Sequence, residues 1–328
     1  MTSHASHKIS APGRSSSLKL IFMKYNKTPL TINEQITRLE RRGLVFSDKK
    51  LAANYLNSIS YYRLRAFTYP FQDNINPESD YAFLRNDIDF QDIIDLYVFD
   101  RRLRNLVFNE LEKIEVAVRT ELSSIFSIST KDAFWYNNKS LFETNDAFQK
   151  VMKDIESDVN RSNEDFIKHY RKKYDYPPMP PSWMTLEVVS FGLLTRIFKI
   201  LKKSDDKKRI ARDFGVCDEN VFANWLHAFS NLRNCCAHHS RIWNRRFPVN
   251  VKLPYNTINP FMSRIEIKEI KQNKIFALLS AIKYIVDIIS PGNSYKQNLI
   301  TLLSDNHKLL TLKEMGFPDK WYNLAVWR

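Results

Sequence analysis

The longest periodic run of apolar residues, from Gln91 to about Ser127, limits the fold more than any other feature of the sequence. Its apolar side chains recur every three or four residues, as on one buried face of an α-helix. A single helix of about 37 residues would be about 55 Å long, so a kink within it is possible. The stripe consists of Leu96, Phe99, Leu103, Val107, Leu111, Ile114, Val118, Leu122 and Ile125.

The rest of the chain also favours helices. A capping box of Thr31 and Glu34 predicts a helix start, and periodic apolar residues predict helices over 183–203 and 266–289. Residues 131–170 are polar and only weakly helical in pattern. Only 6 glycines among 328 residues argue against a turn-rich β protein. We therefore predict an all-α fold.

The two ends of the chain differ in composition. Residues 1–22 are basic, rich in serine and without a period, so we predict a disordered leader, with Met23 as a natural start. Residues 23–328 are expected to form a single all-helical domain. Within it, residues 23–90 are a candidate helical subregion.

The charge of the chain narrows the class of partner. Lysine and arginine number 50 against 36 acidic residues, a formal net charge of +14. This excess favours binding to nucleic acid or to an anionic membrane surface. No unbroken apolar run approaches 18 residues, so no membrane span is expected. Three cysteines, two of them adjacent, fit a reducing compartment, and we expect a cytoplasmic protein that needs no cofactor.

The segment 231–247, NLRNCCAHHSRIWNRRF, carries the largest concentration of reactive and basic groups. Asp218 is a plausible N-cap and Pro248 a stop, which predicts one helix between them. That helix would have two faces. An apolar stripe comprises Phe222, Trp225, Phe229, Leu232, Cys236, His239 and Trp243, and a polar stripe comprises Asn231, Asn234, His238, Arg241 and Arg245. Arginine suits the charge of a phosphodiester, and His238 suits proton transfer.

Arg233 does not share a face with His238 on a straight helix. Five residues separate them, a rotation of about 140° at roughly 100° per residue. A long arginine side chain that reaches round, an irregular helix or a second subunit would each bring the two groups together.

Two further segments have both a structural and a functional interpretation. Residues 60–64, dense in aromatics and arginine, are either a packed helix joint or a base-stacking surface. Arg101, Arg102 and Arg104 are either solvated or paired, or they contact an RNA backbone. Asp100 with Arg104, and Glu115 with Arg119, are spaced as i,i+4 ion pairs.

Arg233-Asn234-Cys235-Cys236-Ala237-His238 resembles the R-x4-H motif of the HEPN (higher eukaryotes and prokaryotes nucleotide-binding) ribonucleases. The longer string RNCCAHHSRIWNR resembles the AbiD/AbiF family of Abi-like abortive-infection proteins. Further blocks that resemble this family include NYLNSISYYRL, LYVFDRRLR and PSWMTLEVVSFGLLTRIFKILK.

The resemblance implies a HEPN-type helical bundle with additional helices, and a toxin-like endoribonuclease that acts in phage defence without a metal. Arg233 and His238 would be catalytic at the interface of a homodimer, and the products would be a 2′,3′-cyclic phosphate and a 5′-OH. Asn234, His239 and Arg241 would support the site. The expected RNA contacts are Arg245, Arg246, Lys207 and Lys208. An inhibitory non-coding RNA or a small protein would restrain the enzyme.

Other functions remain open at this point. Two adjacent cysteines and two adjacent histidines could bind a metal, although zinc ligands are usually spaced so that two side chains converge from one turn. A cysteine nucleophile would need a positioned base and acid. His238, His239 and Arg233 could simply fill a polar interface. The main alternative is a non-catalytic RNA-binding or RNA-sensing protein, and a weaker one is a pure interaction protein.

Overall fold

A computed structural model describes residues 27–305 and 307–328, so the predicted leader at 1–22 lies outside the described residues. Within them the fold is all-α, as predicted, and β-type pairing is confined to isolated bridges. The helices are α1 (Ile32–Arg41), α2 (Lys49–Ile59), α3 (Tyr61–Thr68), α4 (Phe90–Thr130), α5 (Asn145–Arg161), α6 (Asp165–Lys173), α7 (Ser182–Val188), α8 (Phe191–Ile200), α9 (Asp205–Asp213), α10 (Glu219–Ala237), α11 (Arg264–Glu269), α12 (Ile275–Ile289), α13 (Tyr295–Ser304) and α14 (Leu312–Met315).

The long helix α4 is the axis of the fold. It has 41 residues, which corresponds to about 60 Å. A capping box of Asp89 and Asp92 starts it, and Lys131 ends it in the left-handed conformation. The predicted apolar stripe is buried along its whole length. Helices α3, α7, α8, α9, α10, α12 and α13 pack around it.

Helix α10, which carries the R-x4-H motif as far as Ala237, packs against α4, α8, α9 and α12. Its side chains Phe222, Trp225, Phe229 and Leu232 are completely buried. Gly192 of α8 faces α10, where an added Cβ would lie 3.4 Å from Oγ of Ser230, an ordinary van der Waals contact. These contacts fix the direction in which α10 leaves the core.

Two of the predicted helices are divided in the structure. The stretch 183–203 forms α7 and α8, which are separated at Val189 and Ser190, and Ser190 caps α8. The stretch 266–289 forms α11 and α12, which are separated by residues 270–274. Residues 131–170, weak in pattern, contain α5, whose buried face includes Phe148, Val151, Met152, Ile155 and Val159.

The N-terminal helices join the same core. The capping box of Thr31 and Glu34 forms as predicted, and α3 packs directly on α4. Buried apolar residues from Ile36 to Trp327 belong to one contiguous cluster. The division of the chain into one domain with a subregion at 23–90 stays a prediction.

Candidate functional site

Helix α10 ends at Ala237, ten residues before the predicted end. The N–H of His238 donates to the carbonyl of Asn234 at 2.9 Å, and His239 then adopts the left-handed conformation with φ 55°. The N–H of Ser240 returns to the carbonyl of Cys235 at 2.8 Å. These bonds satisfy the last carbonyls of the helix and turn the chain away from its axis.

A buried carboxylate on α4 accepts hydrogen bonds from the backbone of the loop that follows this turn. Asp100 is fully buried, and its Oδ1 accepts the backbone N–H groups of Ile242 at 3.0 Å and Trp243 at 2.8 Å. Its other oxygen pairs with Arg104. Burial raises the pKa of Asp100 to about 6, against the lowering effects of Arg104 and the two N–H groups. Through these contacts the carboxyl group anchors the loop to α4.

The end of α10 at this turn corrects the prediction of a helix that runs to Pro248. The apolar stripe holds as far as Cys236, but His239 is exposed rather than packed, and Trp243 is buried from a loop. The polar stripe holds only as far as Asn234. Arg241 and Arg245 lie on the loop after the helix, so they do not continue its face.

Arg233 of the motif is directed towards α4. Its Nε lies 3.7 Å from Oε2 of Glu115, and its guanidinium carbon is 5.7 Å from the centre of the Phe108 ring. Glu115 also pairs with Arg119, whose guanidinium donates to the carbonyl of Leu186. About a third of the Arg233 side chain remains exposed, at 37%. The guanidinium is therefore positioned by α4 but still open to a ligand.

The other two groups of the motif face solvent. Asn234 and His238 are both exposed, and the backbone bond between them places them in the terminal turn of α10. A histidine in this position is accessible to an RNA phosphodiester and to a second protein chain.

Two arginines connect the loop after α10 to α3, one that donates from α3 to the loop and one that donates from the loop to α3. Arg63 of α3 donates from Nη1 to the carbonyl of His239 at 3.0 Å. Arg241 of the loop donates from Nη1 to the carbonyl of Ala66 and lies over the ring of Trp243. Burial lowers the pKa of Arg241. Arg241 thus supports the site by holding the loop rather than by standing free beside His238.

The expected RNA contacts are not in one place. Arg246 is exposed, whereas Arg245 is half-buried, with its Nε enclosed and without a hydrogen-bond partner among the described residues. Lys207 is only 4% exposed, and its Nζ donates to the carbonyls of Lys199 and Leu201. The ammonium group of Lys207 is therefore used within the fold and does not fit the expected RNA contact.

Lys208 is partly exposed but lies at the other end of α10. It belongs to α9, where it pairs with Asp205 at 3.2 Å. Helix α9 follows directly on Lys203, which contacts Glu219 in the first turn of α10 at 3.4 Å. The 19 residues of α10 span about 28 Å. Lys208 can contact only a distant part of a ligand that is bound at His238.

The cysteines of the segment lack the features of a nucleophile or a metal centre. Burial raises the pKa of Cys236 to about 12 and also raises that of Cys235, so both favour the thiol over the thiolate. Among residues 27–305 and 307–328, no three His, Cys, Asp or Glu side chains are grouped as metal ligands.

In the same residues no helix combines the length and apolar character that would cross a bilayer.

A cleft of about 690 Å³ lies beside the terminal turn of α10. It is bounded by the α2–α3 joint, by α4 and by α10, and its described lining is Ser58, Ile59, Arg63, Tyr97, Arg101, Arg104, Asn105, Phe108, Cys236, Ala237 and His239. Of the segment 60–64 and the three arginines of α4 that the sequence indicates as possible RNA contacts, the described lining contains Arg63, Arg101 and Arg104, and nothing in the sequence indicates that these three meet in one cleft. Arg102 points elsewhere and pairs with Asp305.

The matched family is described as Abi-like protein, and its model covers residues 54–244. The chain belongs to the Abi-like protein family. The matched region runs from α2 to the loop after α10, so it contains both the cleft and the segment from Arg233 to His238. Membership associates the chain with abortive infection, a phage-defence response. Neither the curated proteins nor the solved structures gave a match to this chain.

Proposed function

We propose that this Abi-like protein is a phage-defence endoribonuclease of the HEPN type that cleaves RNA without a metal. The observation that carries the proposal is the terminal turn of α10. It presents His238 and Asn234 to solvent and leaves Arg233 partly open beside them. A proton-transfer group, an amide and a guanidinium are suited to the cleavage of a phosphodiester in RNA.

The proposed chemistry uses the nucleophile that RNA itself carries. A base removes the proton of the 2′-OH, the 2′-oxygen forms a bond to the adjacent phosphorus, and the bond from phosphorus to the 5′-oxygen breaks. An acid gives its proton to the leaving 5′-oxygen. His238 acts in proton transfer, and Arg233 stabilises the charge that develops on the phosphoryl oxygens. The products are a 2′,3′-cyclic phosphate and a 5′-OH.

One chain has only one His238 for both proton transfers, so we propose a homodimer with the motif at its interface. Two copies about a two-fold axis supply two histidines and two arginines. The surface beside Arg233 supports this arrangement, because α4 exposes the large apolar side chain of Val116 next to Glu115, which contacts Arg233. Large apolar side chains on an exposed face are suited to contact with a second chain.

The contact between Arg233 and Glu115 favours a second candidate, a non-catalytic RNA-binding or RNA-sensing protein. In that case Arg233 would serve mainly to hold α10 against α4, and the basic residues around the terminal turn of α10 would bind RNA without cleaving it. In either case an inhibitory RNA or a small protein partner that covers the turn at His238 would restrain the protein.

Growth of bacteria that express the protein distinguishes these two functions. We expect bacteria that express the wild type to stop growing and bacteria that express His238→Ala to continue to grow, because the variant lacks the proton-transfer group. His169→Ala is the matched control, since His169 is an exposed histidine on α6, away from the site. It should be as toxic as the wild type at equal protein level. If His238→Ala is as toxic as the wild type, or if the wild type is harmless, the non-catalytic function is favoured.

A further inference from the structure

The cleft beside the terminal turn of α10 has a basic rim. Arg63 and Arg101 are exposed, and no ion pair is formed by either of them among the described residues. Arg63 uses only one of its guanidinium nitrogens on the carbonyl of His239. Arg104, at the floor, is already neutralised by Asp100. The described lining contains no aspartate or glutamate, so the cleft carries an uncompensated positive charge that suits a phosphate.

The same cleft contains two aromatic rings and an amide. Tyr97 is half-buried, with its ring held in an edge contact to Phe67 at 5.3 Å, and Phe108 is 37% exposed. Asn105 lies between them on α4 and also lines the cleft. Aromatic rings provide stacking surfaces for nucleobases of any sequence, and an amide can bond to a base edge.

The cleft adjoins the R-x4-H motif through two contacts. Phe108 lines the cleft and lies beneath the guanidinium of Arg233. Arg63, on the opposite wall, bonds to the backbone of His239 next to His238. A nucleotide bound between these walls would therefore be directly connected to a phosphate at the motif.

From this geometry we infer that the cleft binds one nucleotide of single-stranded RNA next to the scissile phosphate. Arg63 and Arg101 hold its phosphate, and the base lies against Tyr97 or Phe108. A volume of about 690 Å³ is in the range of small-molecule sites and suits an unpaired nucleotide rather than a duplex. The inference rests on the proposed function, because the scissile phosphate is placed at Arg233 and His238.

Another cleft of the described structure has the opposite character. A cleft of about 550 Å³ at α5, α6 and α7 includes Asp158, Glu164 and Glu187 in its lining. The lining also includes Arg161, which pairs with Asp158, so the cleft keeps a net negative charge that repels a phosphate. Two other clefts also have basic linings, one with Arg38, Arg42 and Arg65 and one with Lys199 and Lys252, so what distinguishes the cleft beside α10 is its contact with the motif.

The test compares two adjacent arginines of α4. Arg101 lines the cleft, whereas Arg102 pairs with Asp305 outside it. Binding of a fluorescent 12-nucleotide single-stranded RNA is measured by anisotropy in EDTA, with His238→Ala as the parent so that no RNA is cut. Arg101→Ala should weaken binding about five- to tenfold and reduce the slope of log K against log salt by about 0.7. Arg102→Ala should change neither quantity by more than about twofold. Equal effects of the two substitutions would overturn the inference.

Two further arms locate and identify the ligand. Cross-linking of RNA that contains 4-thiouridine should label a peptide with Tyr97 or Phe108, and labels confined to other helices would contradict the inference. Adenosine monophosphate should compete at least 100-fold more weakly than the RNA, whereas equal competition would identify a free nucleotide as the ligand instead.

Because the binding assay needs no turnover, a failure of the inference can be distinguished from a failure of the enzymatic proposal. If the wild type fails to cleave RNA but Arg101→Ala still weakens binding selectively, only the catalytic function fails. If Arg101→Ala binds as the parent does, the inference about the cleft fails, whatever a cleavage assay shows. Thermal melting of each variant verifies that it is folded.

Discussion

Replacing His238 by alanine is expected to reduce the rate of RNA cleavage by about 10²- to 10⁴-fold, the usual contribution of a positioned acid–base group. His238 is the exposed histidine of the R-x4-H motif and caps α10, so its removal leaves the buried face of the helix unchanged. The measurement is single-turnover cleavage of a labelled RNA by the purified protein. Thermal melting should differ from that of the wild type by no more than a few degrees.

The neighbouring histidine is the sharpest control for this prediction. His239 is also exposed, but its backbone carbonyl already accepts a hydrogen bond from Arg63, and that bond survives a side-chain substitution. We expect His239→Ala to reduce cleavage by less than about tenfold, in keeping with a supporting role. A larger loss in His239→Ala than in His238→Ala would show that proton transfer had been assigned to the wrong residue.

Replacing Asp100 by alanine is expected to lower the free energy of unfolding by about 3–5 kcal/mol. The substitution leaves the buried guanidinium of Arg104 without its carboxylate, and removal of one partner of a buried ion pair typically has a cost of this size. It also leaves the N–H groups of Ile242 and Trp243 without their acceptor. Chemical denaturation followed by circular dichroism provides the measurement.

A second aspartate on the same helix is the matched control. Asp95 is exposed and bonds only to the side chain of Gln91 among the described residues, so Asp95→Ala should change stability by less than about 0.5 kcal/mol. Asp100→Asn should lie between the two, because its amide oxygen can still accept from the loop. If Asp100→Ala costs less than about 1 kcal/mol, this carboxylate does not anchor the loop after α10.

The sequence predicts the framework of the site well because local periodicity determines it. The apolar residues of α4 and the first part of α10 repeat at helical spacing, and both helices form with those residues buried. The pairs of Asp100 with Arg104 and of Glu115 with Arg119 also form as their spacing predicts. An interaction within four residues along a helix can be predicted without knowledge of the fold.

The end of α10 could not be predicted in this way. The apolar pattern continues through Trp243, which is indeed buried, but from a loop and not from a helix. Beyond the end of the helix, Asp100, more than a hundred residues earlier, holds the loop by accepting the N–H groups of Ile242 and Trp243. Helical pattern alone does not reveal such a contact, since tertiary interactions override local preference.

The roles of the basic residues also depend on contacts that the sequence does not reveal. Lys207 appears in the sequence as part of a charged run, yet its ammonium group is used to bond carbonyls around the end of α8. Arg101, Arg102 and Arg104 are neighbours in sequence but have three different roles, which are cleft lining, pairing with Asp305 and pairing with Asp100. Only the packing of α3, α4 and α10 reveals which cations remain free.

The most direct test of the central proposal is the chemistry of the cleaved ends. A labelled mixed-sequence RNA is incubated in EDTA with the wild type and with Arg233→Ala/His238→Ala, and the end groups of the fragments are identified. The proposal predicts cleavage by the wild type alone, with a 2′,3′-cyclic phosphate and a 5′-OH, and resistance of a 2′-deoxy linkage at the cut position. A 3′-OH with a 5′-phosphate, cleavage that EDTA abolishes, or cleavage by the double variant would contradict it.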